Sequence, residues 1–237
     1  MILEVDAINT FYGKSHILQD ISLNVKAGEV VGLLGRNGVG KTTTLRSIMG
    51  LTPPRNGAIR FKGEPAAGNP AYVMAKKGVA YMPDDLRIFP DLTCEENLEI
   101  ARRLSGRSGY WNRERVEMLF PALGERPRQK GLNLSGGEKK MLSMGRTLMA
   151  NPDLILLDEP SEGLAPMVVA NLVEIIREIQ KKGMTILLAD QNLKFCRRVC
   201  ERGYIIEKGR IVHEAVSYTH LTLPTNRVAG GWGGGGG

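Results

Sequence analysis

Residues 2–8 and 17–25 are rich in β-favouring side chains with polar ones interspersed. This predicts two antiparallel strands with Tyr12-Gly13-Lys14-Ser15 as the turn between them. Glu29-Val30-Val31-Gly32-Leu33-Leu34 is a short apolar run, followed by a glycine-rich loop and a helix-favouring stretch over 42–49. That order reads as strand, loop, helix. Residues 58–61 and 79–82 predict further strands, closed by Gly63 and Pro83 respectively.

From Leu92 the period changes. Thr93 and Glu96 have the spacing of a capping box ahead of Leu98 and Ile100, and 112–119 is a second amphipathic stretch, so the middle third is expected to be helical. Leu154-Ile155-Leu156-Leu157 is apolar on both faces. Pro166 opens a helix with Val169, Leu172, Val173, Ile176 and Ile179 on one side, and 185–189 and 204–207 add strands. Buried strands alternating with helices imply a mainly parallel sheet covered on both faces.

Composition changes this picture little. The 237 residues are 42% hydrophobic and 24% charged, which excludes wholesale disorder, collagen-like repeats and a disulfide scaffold. The net charge of +7 is dispersed, with no long basic run interleaved with aromatic residues, so no nucleic-acid partner is expected. Cys94, Cys196 and Cys200 lack metal-ligand spacing and read as free thiols in a reducing cytoplasm. No apolar run approaches the ~20 residues of a membrane span, and the first apolar stretch is interrupted by an acid, so any membrane role is expected through a partner.

The chemistry lies in three segments. Gly35-Arg36-Asn37-Gly38-Val39-Gly40-Lys41-Thr42 satisfies G-x-x-x-x-G-K-[ST] between a predicted strand and a predicted helix. There backbone N–H groups and the helix N-terminus can surround phosphates, Lys41 can reach the β and γ groups, and the Thr42 hydroxyl can ligate Mg²⁺. Asp158 and Glu159 end the apolar run 154–157, at the sheet edge where ligands bind in open α/β folds. Asp158 is the candidate to hold Mg²⁺ through water, and Glu159 to polarise an attacking water. Leu134-Ser135-Gly136-Gly137-Glu138 precedes the helix expected over about 138–149 and forms a second potential anion site.

At these residues the chain resembles the ATP-binding subunits of ABC transporters, over residues 1 to about 214. The resemblance implies an α/β P-loop NTPase cassette over 1–215. It has a mainly parallel core sheet, an antiparallel β portion and an inserted helical subdomain at about 90–148. It further implies a head-to-tail dimer, homo- or heterodimeric, sandwiching two ATP molecules with Mg²⁺. Each nucleotide would lie between one subunit's Gly35, Asn37, Gly38, Gly40, Lys41, Thr42 and Thr43 and the other's Ser135, Gly136, Gly137 and Glu138. Tyr12 matches the aromatic position that stacks on adenine. More narrowly, the segments Arg87 through Leu98 and Asp158-Glu159-Pro160-Ser161-Glu162-Gly163-Leu164-Ala165-Pro166 look like the cassette of branched-chain amino acid importers. Urea importers and lipopolysaccharide export machinery have closely similar cassettes. The implied partners are transmembrane permease subunits and, indirectly, an external substrate-binding protein. The implied place is the cytoplasmic face of the inner membrane, peripherally bound.

The chain departs from the general pattern in four ways. Asp84 replaces the Gln of the loop sensing the membrane subunit, which puts it among the Mg²⁺ candidates. Gln191 stands where the switch His is usual; it can donate a hydrogen bond to a γ-phosphate but cannot cycle a proton. Glu138 replaces the Gln that commonly ends the signature, and the segment after Pro160 lacks an aspartate. A rival reading from another class is a non-transport regulator in which ATP clamps cassettes onto a soluble partner, although such proteins commonly fuse two cassettes in one chain. Residues 216–237, with no helical period and a terminal glycine run, read as translated adapter or vector sequence, or as a natural disordered tail, in place of the family's C-terminal helix.

Overall fold

The opening residues form the expected hairpin, Leu3–Tyr12 (β1) and Ser15–Val25 (β2), closing where Tyr12 pairs with Ser15. The computed structural model describes residues 1–215, so expectations for 216–237 lie outside the described residues. Val30–Leu34 (β3) leads through the glycine-rich loop into Lys41–Ile48 (α1). Asn56–Phe61 (β4), Glu64–Pro65 (β5), Ala71–Lys77 (α2) and Val79–Met82 (β6) follow. The middle of the chain is Cys94–Ser105 (α3), Arg113–Leu119 (α4), Pro121–Gly124 (α5) and Gly136–Met149 (α6). Leu154–Asp158 (β7), Pro166–Lys181 (α7), Thr185–Asp190 (β8), Leu193–Val199 (α8), Arg202–Glu207 (β9) and Arg210–Ala215 (β10) complete the described chain.

Two sheets result. One is four-stranded in the order β2-β1-β4-β5 and antiparallel; the other is six-stranded in the order β10-β9-β3-β8-β7-β6. In the second sheet every pairing from β9 to β6 is parallel and only β10 runs antiparallel. β3, β7 and β8 are buried along their whole length, which is why they read as unbroken apolar runs rather than alternating ones.

The pleat sends alternate side chains into two separate cores. Val30, Leu34, Ile155, Leu157, Ile186 and Leu188 pack with residues of α3 through α8. Val31, Leu33, Leu154, Leu156, Leu187 and Ala189 pack with α1 and the antiparallel strands.

Local chemistry starts the helices where the pattern predicts. Thr93 Oγ1 accepts from the Glu96 N–H while the Glu96 carboxylate accepts from the Thr93 N–H, and Ser135 and Glu138 repeat that reciprocal box at α6. Asn112 caps α4, and Pro166 occupies the first turn of α7, where its missing N–H costs nothing. The pattern gives no sign of α2, β5 or β10, and only the i, i+4 spacing of Cys196 and Cys200 hints at α8. α2 buries only Met74, and β10 is an edge strand exposed over most of its length, so neither carries a usable apolar period. β9 begins at Arg202, two residues before the expected Tyr204. A polar residue can occupy this buried place because Arg202 donates to Glu29 at 2.6 and 3.0 Å, to the Tyr204 hydroxyl at 2.7 Å and to the Asn24 carbonyl at 2.7 Å. That network ties β2, β3 and β9 together. All three cysteines are free and buried, and no helix among the described residues is long and apolar enough to cross a membrane.

Candidate functional site

The loop between β3 and α1 is held tightly against the sheets. A Cβ on Gly35 would stand 2.4 Å from the Ile206 carbonyl oxygen. One on Gly40, whose φ is +116°, would stand 2.7 Å from Leu18 Cδ2. Glycine at these positions lets the loop turn close to β9 and β2 while its backbone starts α1. Lys41, the first residue of that helix, is buried. Its ammonium donates to the Gly35 carbonyl at 2.8 Å and the Arg36 carbonyl at 2.9 Å, and pairs with Glu159 Oε1 at 2.8 Å. Thr42 donates its hydroxyl to Asp158 Oδ1 at 3.0 Å.

Asp158 ends β7, between β6 and β8 at the carboxyl edge of the parallel strands. The next residue, Glu159, turns the chain with φ +48°, a left-handed conformation uncommon for a side chain of this size, and its N–H donates to the Ala189 carbonyl at 2.8 Å. Burial pushes the carboxyl groups of both Asp158 and Glu159 above their ordinary range; hydrogen bonds from Tyr81 and Thr42 oppose this at Asp158, and Lys41 opposes it at Glu159. Glu159 Oε2 is buried with no hydrogen-bond partner among the described residues. The site therefore pairs a cation with a carboxylate whose second oxygen remains a free acceptor.

A cleft of about 360 Å³ opens over this edge. It brings together Tyr12, Asn37, Gly38, Gly40, Lys41, Thr42, Thr43, Asp84 and Glu159, all expected from sequence, with Ile17 and Glu162. Asp158 lies fully buried beneath it. Tyr12 is half exposed on the rim and Asp84 is exposed, its carboxylate accepting from the Asp85 N–H. Gln191 is exposed just past β8 and does not line the cleft. Nor do Ser135, Gly136, Gly137 and Glu138; Ser135 and Gly136 face solvent, and the Ser135 hydroxyl is engaged with its own helix.

Three supporting residues escape sequence reasoning. Tyr81, near the end of β6, donates its hydroxyl to Asp158 Oδ2 at 2.9 Å, and burial together with the Asp158 charge keeps that phenol protonated. Asp190 accepts from the Ser161 N–H at 3.1 Å and the Asn192 N–H at 2.8 Å, bracing the segments after Glu159 and after β8. Lys140 of α6 donates to the Glu159 and Glu162 carbonyls. Only Asp190 leaves a signal in the sequence: like Asp158, it is a lone acid ending an apolar strand.

The oxygen donors fit Mg²⁺. The Thr42 hydroxyl and one Asp158 oxygen lie side by side, which suits a hard cation taking one or two protein ligands and completing its shell with phosphate and water.

Comparison with known proteins agrees with this arrangement. The ABC transporter family model matches residues 18–162. The chain is 40% identical to the high-affinity branched-chain amino acid transport ATP-binding protein BraG of Pseudomonas aeruginosa, over 96% of this chain and 98% of that one. It is 36% identical to the lipopolysaccharide export system ATP-binding protein LptB of Haemophilus influenzae, over 89% of each. Among solved structures, the ADP conformation of an ATP-binding cassette of an ABC transporter superposes with a TM-score of 0.76 at 28% identity, over 90% of each chain. The phosphate loop, the acidic strand end and these likenesses lead to one conclusion: the chain belongs to the ABC transporter family, as an ATP-binding and ATP-hydrolysing subunit.

Proposed function

We propose that this subunit powers import of branched-chain or other amino acids through separate transmembrane permease subunits, as a peripheral component on the cytoplasmic face of the inner membrane. The observation that carries its chemistry is the meeting of Lys41 with Glu159 and of Thr42 with Asp158 at one sheet edge. Arriving ATP phosphates compete with Glu159 for the Lys41 ammonium. Glu159, released, accepts a proton from the attacking water, a task suited by a carboxyl held above its ordinary pKa range. Tyr12 stacks on adenine, and the loop's N–H groups from Asn37 to Thr43 hold the phosphates. Thr42 and Asp158, with Asp84 at the rim, would hold Mg²⁺, which when bound offsets phosphate charge. Gln191 reaches the γ-phosphate from the segment after β8.

The exposed Ser135 and Gly136, with the partly buried Gly137 and Glu138, complete the nucleotide site of a second cassette, identical or similar, rather than their own. The likeness to BraG favours amino-acid cargo, and an external substrate-binding protein would deliver it. The likeness to LptB supports lipopolysaccharide export as the second reading. Proteoliposomes holding the subunit with its own permeases and binding protein decide between them. ATP-driven accumulation of labelled leucine, isoleucine or valine, lost in Glu159→Gln, supports the proposal. ATP turnover stimulated by lipopolysaccharide and not by amino acids rejects it.

A further inference from the structure

Lys140 lies in the second turn of α6, the helix whose N-cap is Ser135, and it is partly buried. Its stem borders an apolar seam with Met82, Met144, Pro160 and Leu164, and its ammonium emerges against the turn that follows β7. There it donates to the main-chain oxygen of Glu159 at 3.0 Å and to that of Glu162. The Glu159 oxygen also accepts from the Glu162 N–H at 3.2 Å, so one carbonyl closes the turn and receives the lysine. From the other side β8 holds the same turn, through the Ala189 carbonyl to the Glu159 N–H and through Asp190 to the Ser161 N–H. Glu159 is thus kept at φ +48° by contacts from two elements, and only one of them, α6, begins at the signature segment.

We propose that Lys140 is a positioning residue that sets the Glu159 carboxylate for hydrolysis and makes that setting answer to Ser135 through α6. The inference rests on the proposed reading that Ser135 engages a nucleotide held by a second cassette. It adds that the engagement is reported, through the first two turns of one helix and one side chain, to the chain's own Glu159. A positive head group with several donors suits the task. It satisfies carbonyls at two points of the turn; burial holds its pKa below the ordinary lysine value, and the carboxylates of Asp190, Glu162, Glu159 and Asp84 oppose that shift. A main-chain anchor also leaves the Glu159 side chain free to exchange Lys41 for water.

The test uses the full chain with Lys140→Met, which keeps the stem and removes the donors, and Lys140→Arg, which restores them. In Lys140→Met, kcat should fall roughly tenfold, since a small misplacement of a reacting group is expensive, while KM for ATP and affinity for a fluorescent ADP analogue stay within about twofold. The Hill coefficient for ATP should drop toward one, amide exchange across residues 159–164 should accelerate, and Lys140→Arg should recover most of the loss. Wild-type kcat and cooperativity in Lys140→Met would overturn the inference. So would a loss of kcat and affinity together, with a lower melting midpoint that Arg does not restore. Ser135→Ala, run in parallel, separates the two layers. If it keeps full cooperativity, the composite-site reading fails and takes the link to α6 with it; if it loses cooperativity while Lys140→Met does not, only the present inference fails.

Discussion

The Lys41 ammonium and the Glu159 carboxylate stand 2.8 Å apart with side-chain exposures of 3% and 7%. Each is the other's counter-ion in a place where water screens little, and the proposed function gives the same two groups separate duties toward ATP. On that reading, binding should begin with an exchange of partners.

Glu159→Gln tests the second duty. The amide keeps the volume and can still accept from Lys41, but it cannot take a proton, so hydrolysis should fall by roughly 10²–10⁴-fold. Nucleotide affinity should hold or rise, because a neutral amide competes less with phosphate for Lys41. Gln191→Ala should cost less, as it removes one hydrogen bond from an exposed position. Single-turnover rates compared with equilibrium binding check both statements; a larger loss in Gln191→Ala would transfer the principal role to that residue.

Lys41→Ala and Ser135→Ala should separate cleanly. Losing the ammonium from the cleft should abolish tight binding by the monomer. Losing a hydroxyl that lines no part of that cleft should leave monomer binding nearly intact and weaken ATP-dependent association of two chains. Binding titrations and sedimentation with the Glu159→Gln background read the two effects apart. Equal loss of monomer binding would remove Ser135 from a second copy's site.

Asp158 gives a pH prediction. Its carboxyl is held above the ordinary 3.8, by burial first and with hydrogen bonds from Tyr81 and Thr42 opposing. A group raised in the fold contributes stability that is full below its unfolded pKa and is lost as pH rises through the folded one, so at neutral pH Asp158 weakens the nucleotide-free protein. Asp158→Asn can keep both contacts, accepting from Thr42 and donating to the Tyr81 oxygen. Its melting midpoint in EDTA should exceed wild type by a few degrees near pH 7, with the gap closing toward about pH 4. Mg-ADP should stabilise the wild type far more than the variant. A lower midpoint at neutral pH would contradict the argument.

Arg202 gives the opposite sign. Burial favours a neutral Glu29, but the hydrogen bonds from Arg202 and the Lys26 N–H outweigh it and hold that carboxyl below 4.5, so its contribution is present above 4.5 and fades as pH falls through the lower folded value. Arg202→Met should cost about 3–5 kcal/mol at neutral pH by stranding Glu29, and adding Glu29→Met should restore much of it. Urea unfolding of the single and double variants measures the difference.

Much of this architecture was legible because its determinants are local. Val79–Met82 was expected with its observed bounds, since an apolar run stopped by Pro83 leaves little freedom. The phosphate loop and the acidic strand end could be placed from order alone, strand to loop to helix and apolar run to acid. What failed to show depends on contacts between distant segments. Tyr81 is a plain β-favouring residue until β6 lies beside β7, and Lys140 looks like any surface lysine of an amphipathic helix until α6 packs on the Glu159 turn. α2 and β10 bury too little to imprint a period, and α8, which buries Phe195, Cys196 and Val199, is only two turns long. The separation of Ser135 from the cleft is a matter of geometry that spacing along a chain cannot state.

The alternation of β3, β7 and β8 side chains between two cores has an evolutionary consequence. A sheet buried on both faces acts as a partition, so a volume change among Val30, Ile155 and Ile186 is absorbed on the helical side and reaches Val31, Leu154 and Leu187 only through the backbone. Substitutions separated in this way combine nearly additively. The helical core can then be repacked in small, independent steps with little disturbance of the core beneath α1 and the antiparallel strands. Such a division lets a lineage revise one core without renegotiating the other.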